Sequence, residues 1–150
     1  GTTYARGNAK FEAGTPAIAE AIAFAAAADF ISKLGWNAIT THEHALAERL
    51  LTALATRPWV RVVGPTDLTD RGGAVSFVVD GVHAHDVGQV LDAAGVAVRV
   101  GHHCAWPLHR TMKAAATTRA SFAAYNTASE VDALVAALDT VPQVFGLEVA

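Results

Sequence analysis

The sequence predicts one α/β or α+β domain in which helices cover a sheet of short strands. The chain has 150 residues, the size of a single domain that buries roughly 68–70% of the surface its unfolded chain exposes. The predicted elements begin with two helices and continue with short strands that alternate with further helices. This order is typical of a layered domain.

Composition and charge narrow the functional classes. Charged residues make up 17% of the chain and the net charge is −3, so we expect no nucleic-acid-binding surface. No apolar segment is long enough to cross a bilayer, and the first residues lack the features of a signal peptide. The single cysteine, Cys104, can form no internal disulfide, which predicts a free thiol and a cytoplasmic location. The chain begins without Met, on a polar segment, and we therefore expect it to be a fragment.

Two helices are predicted for the first part of the chain. Thr15 is the expected N-cap and Pro16 the first residue of a helix that closes at Gly35. This helix is rich in alanine and apolar on nearly every face, so we expect a sheet or a partner subunit to cover it. A second helix is predicted from about Asn37 to Thr56. Its core-facing stripe is formed by Ile39, Leu46, Leu50, Leu51 and Leu54.

Short strands and further helices are predicted for the rest of the chain. Glycine and proline residues separate these segments and mark the turns between them. The predicted strands are 60–63, 74–79, 96–99 and 118–124. The predicted helices are 86–94 and a last one that starts at Ser129 and covers the sheet. The segment 110–117 has no clear pattern and receives no element.

Chemically active side chains are concentrated between Arg99 and Leu108. This stretch holds Cys104 and the adjacent His102 and His103. A strand that ends in a glycine-containing loop would hold these side chains rigidly and leave them accessible. A lone cysteine is often a small buried core residue. The alternative is a reactive thiolate, which Arg99 and the histidines are near enough in sequence to stabilise or to deprotonate.

Residue types that bind zinc occur in this stretch and in the segment before it. His83, His85, His102, His103 and Cys104 offer suitable ligands. Adjacent histidines seldom bind one ion together, however, and no CxxC or HxxxH pair organises a site. We therefore predict no metal site formed by this chain alone.

Arg119 lies in a strand-like run, where burying a guanidinium without an anionic partner is costly. It is either an edge-strand arginine that reaches solvent or a bidentate clamp for a carboxylate substrate. Arg99 admits the same two interpretations. The segment around Thr15 is a candidate phosphate-binding helix start, although most helices begin with such a residue.

Three segments together resemble the group II (Suf-type) cysteine desulfurases, which are pyridoxal-phosphate (PLP)-dependent enzymes of the aminotransferase class V family. The segments are FEAGTP at 11–16, VRVGHHCAWPL at 98–108 and TRASFAAYNT at 118–127. The resemblance covers almost the whole chain in the family's order. It implies that residues 1–150 are the C-terminal small domain of a fold-type I PLP-dependent transferase, with the preceding cofactor-loop and helix segment. It also implies a short mixed or antiparallel sheet.

The resemblance implies a role for each candidate residue. Such enzymes are homodimers that take sulfur from L-cysteine for iron-sulfur cluster assembly, and they leave L-alanine and a persulfide on the residue that matches Cys104. Arg119 matches the arginine that binds the substrate carboxylate, and Arg99 matches a second arginine of the active site. Thr15 matches a threonine that reaches the PLP phosphate of the neighbouring subunit. His85 matches a histidine implicated in docking a zinc-bearing sulfur-acceptor protein.

One departure from the family concerns the lysine that binds PLP. In the family this lysine lies in a large N-terminal domain, and Lys10, Lys33 and Lys113 do not have its sequence context. The resemblance therefore implies that the lysine-bearing domain is absent from this chain and that the chain alone is inactive. Two alternatives stay open: a non-catalytic zinc- or partner-binding module, and a selenocysteine lyase or cysteine-sulfinate desulfinase of the same superfamily.

Overall fold

The computed structural model describes residues 1–148 and contains two compact units, Gly1–Trp36 and a second unit that begins at Asn37. The first unit consists of a short 3₁₀ helix, Gly7–Phe11, and helix α1, Ile18–Leu34. Helix α1 ends at Gly35, whose φ of +82° is readily adopted only by glycine.

One prediction for the first unit, the helix start at Pro16 with Thr15 as N-cap, is wrong. Helix α1 starts at Ile18 and its N-cap is Ala17, so Thr15 does not cap it. The reason is a tight turn, in which the Pro16 carbonyl accepts a hydrogen bond from the Ile18 N–H at 2.8 Å and separates Thr15 from the helix. Every residue of α1 is exposed, because no element of its own unit packs on it. Covering by a partner subunit stays a prediction.

The second unit contains a four-stranded antiparallel sheet. The strands are β1 (Val60–Val62), β2 (Ala74–Val79), β3 (Arg99–Gly101) and β4 (Thr117–Ser121). Their order in the sheet is β1-β2-β4-β3. Side chains alternate between the two faces of a strand, and in β2 Val75, Phe77 and Val79 are the buried set.

Helices pack on the buried face of this sheet. They are α2 (Trp36–Ala55), α3 (Ala84–Ala93), α5 (Ala128–Leu138) and α6 (Val141–Phe145). Helix α4 (Trp106–Thr111) instead contacts Thr117, which lies on the same face of β4 as Arg119. The core combines the β2 side chains with apolar residues of α2, α3 and α5. Its largest fully buried side chains include Phe77, Leu50, Leu54, Leu91 and Leu138. The predicted α+β class with a short antiparallel sheet is confirmed.

The third strand differs from its prediction. Strand β3 covers Arg99–Gly101 rather than 96–99. Helix α3 closes through Gly95, and the Val96 N–H donates to the Leu91 carbonyl at 2.9 Å, so Val96 belongs to the end of the helix. Arg99 is therefore the first residue of the strand instead of its last.

Strand β4 and the helix after it also have shifted boundaries. Strand β4 ends at Ser121 because the Asn126 side chain accepts the Ala123 N–H at 2.9 Å and starts a turn. Helix α5 begins at Ala128, close to the predicted Ser129. It is stabilised by a capping box in which Thr127 and Glu130 each satisfy a backbone N–H of the first turn.

Three helices differ from the sequence prediction. Helix α3 begins at Ala84, two residues before the predicted Asp86, with His83 as its N-cap. Helices α4 and α6 were not predicted. Each carries a proline in its first turn, Pro107 and Pro142, where a missing N–H costs no helical hydrogen bond.

None of the helices in the described part of the chain combines the length and hydrophobicity that crossing a bilayer requires.

Candidate functional site

Strands β3 and β4 place two arginines side by side. In their antiparallel register Arg99 lies directly opposite Arg119. On β4, the buried Thr118 and Ala120 alternate with Arg119, which is partly exposed and lies on the face opposite the one that packs on α2, α3 and α5. Like charges directly opposite each other are unfavourable, and the ion pairs found among residues 1–148 involve other arginines. The pair is therefore a cationic site that an anion would stabilise.

The thiol of Cys104 lies next to this pair. Cys104 is exposed, and the Arg99 Nη2 donates a hydrogen bond to its Sγ at 3.7 Å. The alternative of a buried core cysteine is therefore wrong for this chain. A nearby guanidinium favours the thiolate, which is the nucleophilic form of cysteine.

An unusual backbone carries the thiol. His103 and Cys104 have φ values of +54° and +63°, in the left-handed region that costs a residue with a side chain about 1–2 kcal/mol. Gly101, two residues before His103, also has a positive φ of +113°. The Ala105 N–H donates to the His102 carbonyl at 2.8 Å and closes this turn. Residues 101–105 are called the Cys104 turn below.

Histidine side chains fasten the Cys104 turn to β4 and α4. The His103 Nε2 lies 2.8 Å from the Thr117 Oγ1, and the His109 Nε2 lies 3.1 Å from the same oxygen. The His109 Nδ1 lies 3.1 Å from the Ala105 carbonyl oxygen. Thr117 and His109 are both buried. Both were missed by the sequence analysis, and a helix prediction for 106–111 would have shown that His109 and Ala105 share one helical face.

The surroundings of His103 keep its imidazole neutral. Burial is the main cause that lowers the pKa of His103 from its usual 6.5, and the neighbouring Arg119, His109 and Arg99 lower this pKa further. The His103 Nδ1 is buried and has no hydrogen-bond partner among residues 1–148.

His102, which the sequence suggested as a proton carrier, has a packing role in this structure. Its ring meets the Trp106 ring edge-on at 4.1 Å between centroids, and the His109 ring at 5.5 Å.

The remaining predicted site residues lie apart from the Cys104 turn. His85 and His83 are exposed at the start of α3, where their rings stack at 5.0 Å between centroids. The His83 Nδ1 accepts the His85 N–H at 3.3 Å and so caps the helix. Thr15 is exposed in the first unit. No cluster of three histidine, cysteine or acidic side chains suited to a metal ion occurs within residues 1–148.

Comparisons with known proteins agree on one group of relatives. The sequence model of the aminotransferase class-V family matches residues 1–134. "Probable cysteine desulfurase 2" of Mycobacterium leprae is 53% identical over 147 residues, which are 98% of this chain and 35% of that protein. "Probable cysteine desulfurase" of Streptomyces coelicolor is 50% identical over 145 residues, 97% of this chain and 35% of that protein.

Solved structures show the same similarity. The apo structure of a cysteine desulfurase from Thermococcus onnurineus NA1 superposes with a TM-score of 0.84 at 39% sequence identity, over 93% of this chain and 34% of that one. The chain thus spans about a third of the length of the relatives that it matches.

Proposed function

The chain belongs to the aminotransferase class-V family, and we propose that it is the C-terminal part of a PLP-dependent cysteine desulfurase of the group II (Suf) type. In this proposal residues 1–150 are the small domain with the cofactor-loop and helix segment that precede it. The observation that carries the proposal is the exposed Cys104 thiol 3.7 Å from Arg99, which lies on β3 directly opposite Arg119 of β4. The protein transfers sulfur from L-cysteine to Cys104 for iron-sulfur cluster assembly.

Cys104 is the proposed nucleophile. Its thiolate attacks the sulfur of L-cysteine, a sulfur–sulfur bond forms, and the bond between that sulfur and the substrate carbon breaks. A proton then replaces sulfur on this carbon, so that the product is L-alanine and Cys104 carries a persulfide. The exposure of Cys104 supports this role, because the persulfide must afterwards be passed to an acceptor.

Arg119 is the proposed clamp for the substrate carboxylate, and Arg99 is the cation that stabilises the thiolate. A planar guanidinium binds a carboxylate through two parallel hydrogen bonds. Arg119 donates through Nε to Ser121 Oγ at 3.1 Å, which fixes the plane of the guanidinium and leaves its terminal nitrogens for the substrate. Neither arginine forms an ion pair within residues 1–148, and their positive charge supports an anionic ligand at this site.

The residues of this chain fit a supporting contact to PLP rather than the complete cofactor site. Lysines that form imines are activated by burial or by neighbouring cations, whereas Lys10, Lys33 and Lys113 are all exposed. The PLP-binding lysine therefore belongs to a part of the protein outside this chain, and the chain alone is inactive. The exposed hydroxyl of Thr15 fits a PLP phosphate oxygen, contributed across a homodimer interface. PLP, when bound, supplies the electron sink for the breaking carbon–sulfur bond.

His85 is the proposed docking residue for a zinc-bearing sulfur-acceptor protein. Its ring is exposed beside that of His83 at the start of α3, and neutral imidazole is a common zinc ligand. The proposed setting is the cytoplasm, where thiols stay reduced.

Alanine release by the full-length protein that carries this chain tests the proposal. The protein is loaded with PLP and incubated with L-cysteine and a thiol reductant, and L-alanine is measured over time. We expect turnover in the wild type and its loss in Cys104→Ser, while the visible absorption of bound PLP is unchanged. Cys104→Ser protein that releases alanine at the wild-type rate would contradict the assignment.

A further inference from the structure

Thr117 and His109 form a hydrogen-bonded chain with His103, and the direction of its hydrogen bonds can be worked out from one end. The Ala105 carbonyl oxygen can only accept, so the His109 Nδ1, 3.1 Å away, carries a hydrogen. In neutral His109 the Nε2 then has a lone pair and accepts from the Thr117 hydroxyl at 3.1 Å. The Thr117 oxygen in turn accepts from the His103 Nε2–H at 2.8 Å. His103 therefore carries its hydrogen on Nε2 and has a bare Nδ1.

The environment of the His103 Nδ1 agrees independently with this tautomer. This atom is buried and has no partner among the described residues. A buried N–H group without an acceptor is rare in proteins, whereas an acceptor without a donor is tolerated better. The opposite tautomer would leave an N–H in this position, and it would also remove the hydrogen that binds Thr117.

The hydrogen bonds that link His103, Thr117 and His109 also support a backbone conformation that is unfavourable by itself. The left-handed conformations of His103 and Cys104 persist only where the surrounding structure holds them. His103 is held through its ring by Thr117, a fully buried residue of β4, and by His109 behind it on α4. The backbone conformation of the Cys104 turn therefore depends on where the His103 ring is held.

We propose that Thr117 and His109 are positioning residues that hold His103 in the Nε2–H tautomer and thereby keep the Cys104 thiol beside Arg99. This inference deepens the proposed function and rests on it for its catalytic meaning.

The charges around His103 explain why a fixed neutral ring matters. The charged or titratable groups that face it are Arg99 on β3, Arg119 on β4 and His109 on α4, and the thiol of Cys104 follows it in the chain. His102 packs against His109 from the same turn. A neutral His103 adds no third cation to the two arginines, which stay available for an anionic substrate and a thiolate.

Nitrogen NMR of the full-length protein labelled with ¹⁵N-histidine tests the tautomer. The His103 signals are assigned by their absence in His103→Gln. We expect a protonated Nε2 and an unprotonated Nδ1 in the wild type. Thr117→Val removes the hydroxyl with little change in shape, and loss of one hydrogen bond lowers the tautomer ratio by roughly tenfold. Thr117→Ser keeps the hydroxyl and should give the wild-type signals. A protonated Nδ1 in the wild type, or a Thr117→Val spectrum equal to the wild type, overturns the inference.

Alkylation of Cys104 measures the consequence for the thiol. Iodoacetamide modification is followed by mass spectrometry of the Cys104 peptide between pH 6 and 9. Because a loosened turn moves the thiol away from Arg99, we expect roughly threefold to tenfold slower modification at pH 7 in Thr117→Val. Thr117→Ser should restore the wild-type pH profile. Equal profiles for the wild type and Thr117→Val contradict the positioning role.

A second pair of variants applies if Thr117→Val does not fold. His109→Leu removes both hydrogen bonds of the ring, while His109→Gln keeps an acceptor within reach of Thr117. We expect the His103 signals and the alkylation profile to change in His109→Leu and to be retained in His109→Gln; equal behaviour of the two variants overturns the inference. Neither measurement requires PLP or L-cysteine. A wild type without desulfurase activity would refute the proposed function alone, whereas unchanged NMR and alkylation in an active enzyme would refute the inference alone.

Discussion

Replacing Arg119 by alanine tests the proposed carboxylate clamp. Arg119 is partly exposed on β4 and lies opposite Arg99. Within residues 1–148 its guanidinium donates through Nε to the Ser121 Oγ at 3.1 Å, and its terminal nitrogens are left for a ligand. Arg119→Ala removes the clamp and relieves the repulsion between two neighbouring cations, so the fold should tolerate the substitution.

The size of the effect follows from the hydrogen bonds that the clamp can make. A bidentate arginine–carboxylate contact has two charge-assisted hydrogen bonds, each worth about 1.5–3 kcal/mol. Because Arg119 is partly exposed, the lower end applies, about 3 kcal/mol for the pair. This free energy corresponds to a loss of roughly 100-fold in kcat/KM for L-cysteine. Arg119→Lys keeps the charge without the planar fork, and we expect a loss of roughly tenfold.

Steady-state release of L-alanine by the PLP-loaded, full-length protein measures this loss over a range of L-cysteine concentrations. The matched control is Arg61→Ala, which removes an exposed arginine from the edge strand β1 of the same sheet and should change kcat/KM by less than about twofold. The clamp is refuted if Arg119→Ala keeps kcat/KM within the range of the Arg61→Ala control.

Three further predictions concern stability and pH. Phe77→Ala empties a fully buried core position and should lower the stability measured by native-state hydrogen exchange of β2 by about 3–5 kcal/mol; Phe24→Ala, at an exposed position of α1, should leave it unchanged. Thr127→Ala removes the N-cap of α5 and should cost about 0.5–2 kcal/mol by the same measurement on α5 amides, with Thr127→Ser as the control. Hydrogen bonds from the Thr127 N–H and the Asn126 side chain lower the pKa of Glu130 below its usual 4.5, so its stabilising effect is present above pH 4.5 and is lost as the pH falls further. The stability difference between wild type and Glu130→Gln should therefore shrink below pH 4.5, and a difference that is constant with pH would contradict this role.

Local sequence patterns predicted the elements whose burial is one-sided. Strand β2 was predicted at 74–79 because its alternation of buried and less buried side chains is the signature of a sheet with one covered face. The leucine stripe of α2 likewise predicted a helix whose buried residues are Leu46, Leu50, Leu51 and Leu54. The pattern and the packing agree in β2 and in the second half of α2, whereas Ile39 of the predicted stripe is only partly buried.

The missed elements depend on contacts that are distant in sequence or on a proline. Strand β3 was placed too early because the valines at 96 and 98 have strand-like side chains, whereas pairing with β4 selects Arg99–Gly101. Helices α4 and α6 each carry a proline in the first turn, and neither segment was predicted as a helix.

The candidate site, like the fold, could be predicted only where it depends on residues close together in the sequence. Arg99 and Cys104 are five residues apart, and their contact could be expected from sequence alone. The pairing of Arg99 with Arg119 follows from the register of two strands, and the role of Thr117 and His109 follows from a helix that was not predicted. Neither could be obtained from local patterns.

Mass mapping of Cys104 after one turnover tests the central claim most directly. The PLP-loaded, full-length protein is incubated with L-cysteine that carries a heavy sulfur isotope, and the mixture is alkylated, digested and analysed by mass spectrometry. Cys104 should gain one heavy sulfur atom, with an equal amount of L-alanine released. A Cys104 peptide without added sulfur, in a protein that holds PLP and releases alanine, would contradict the account.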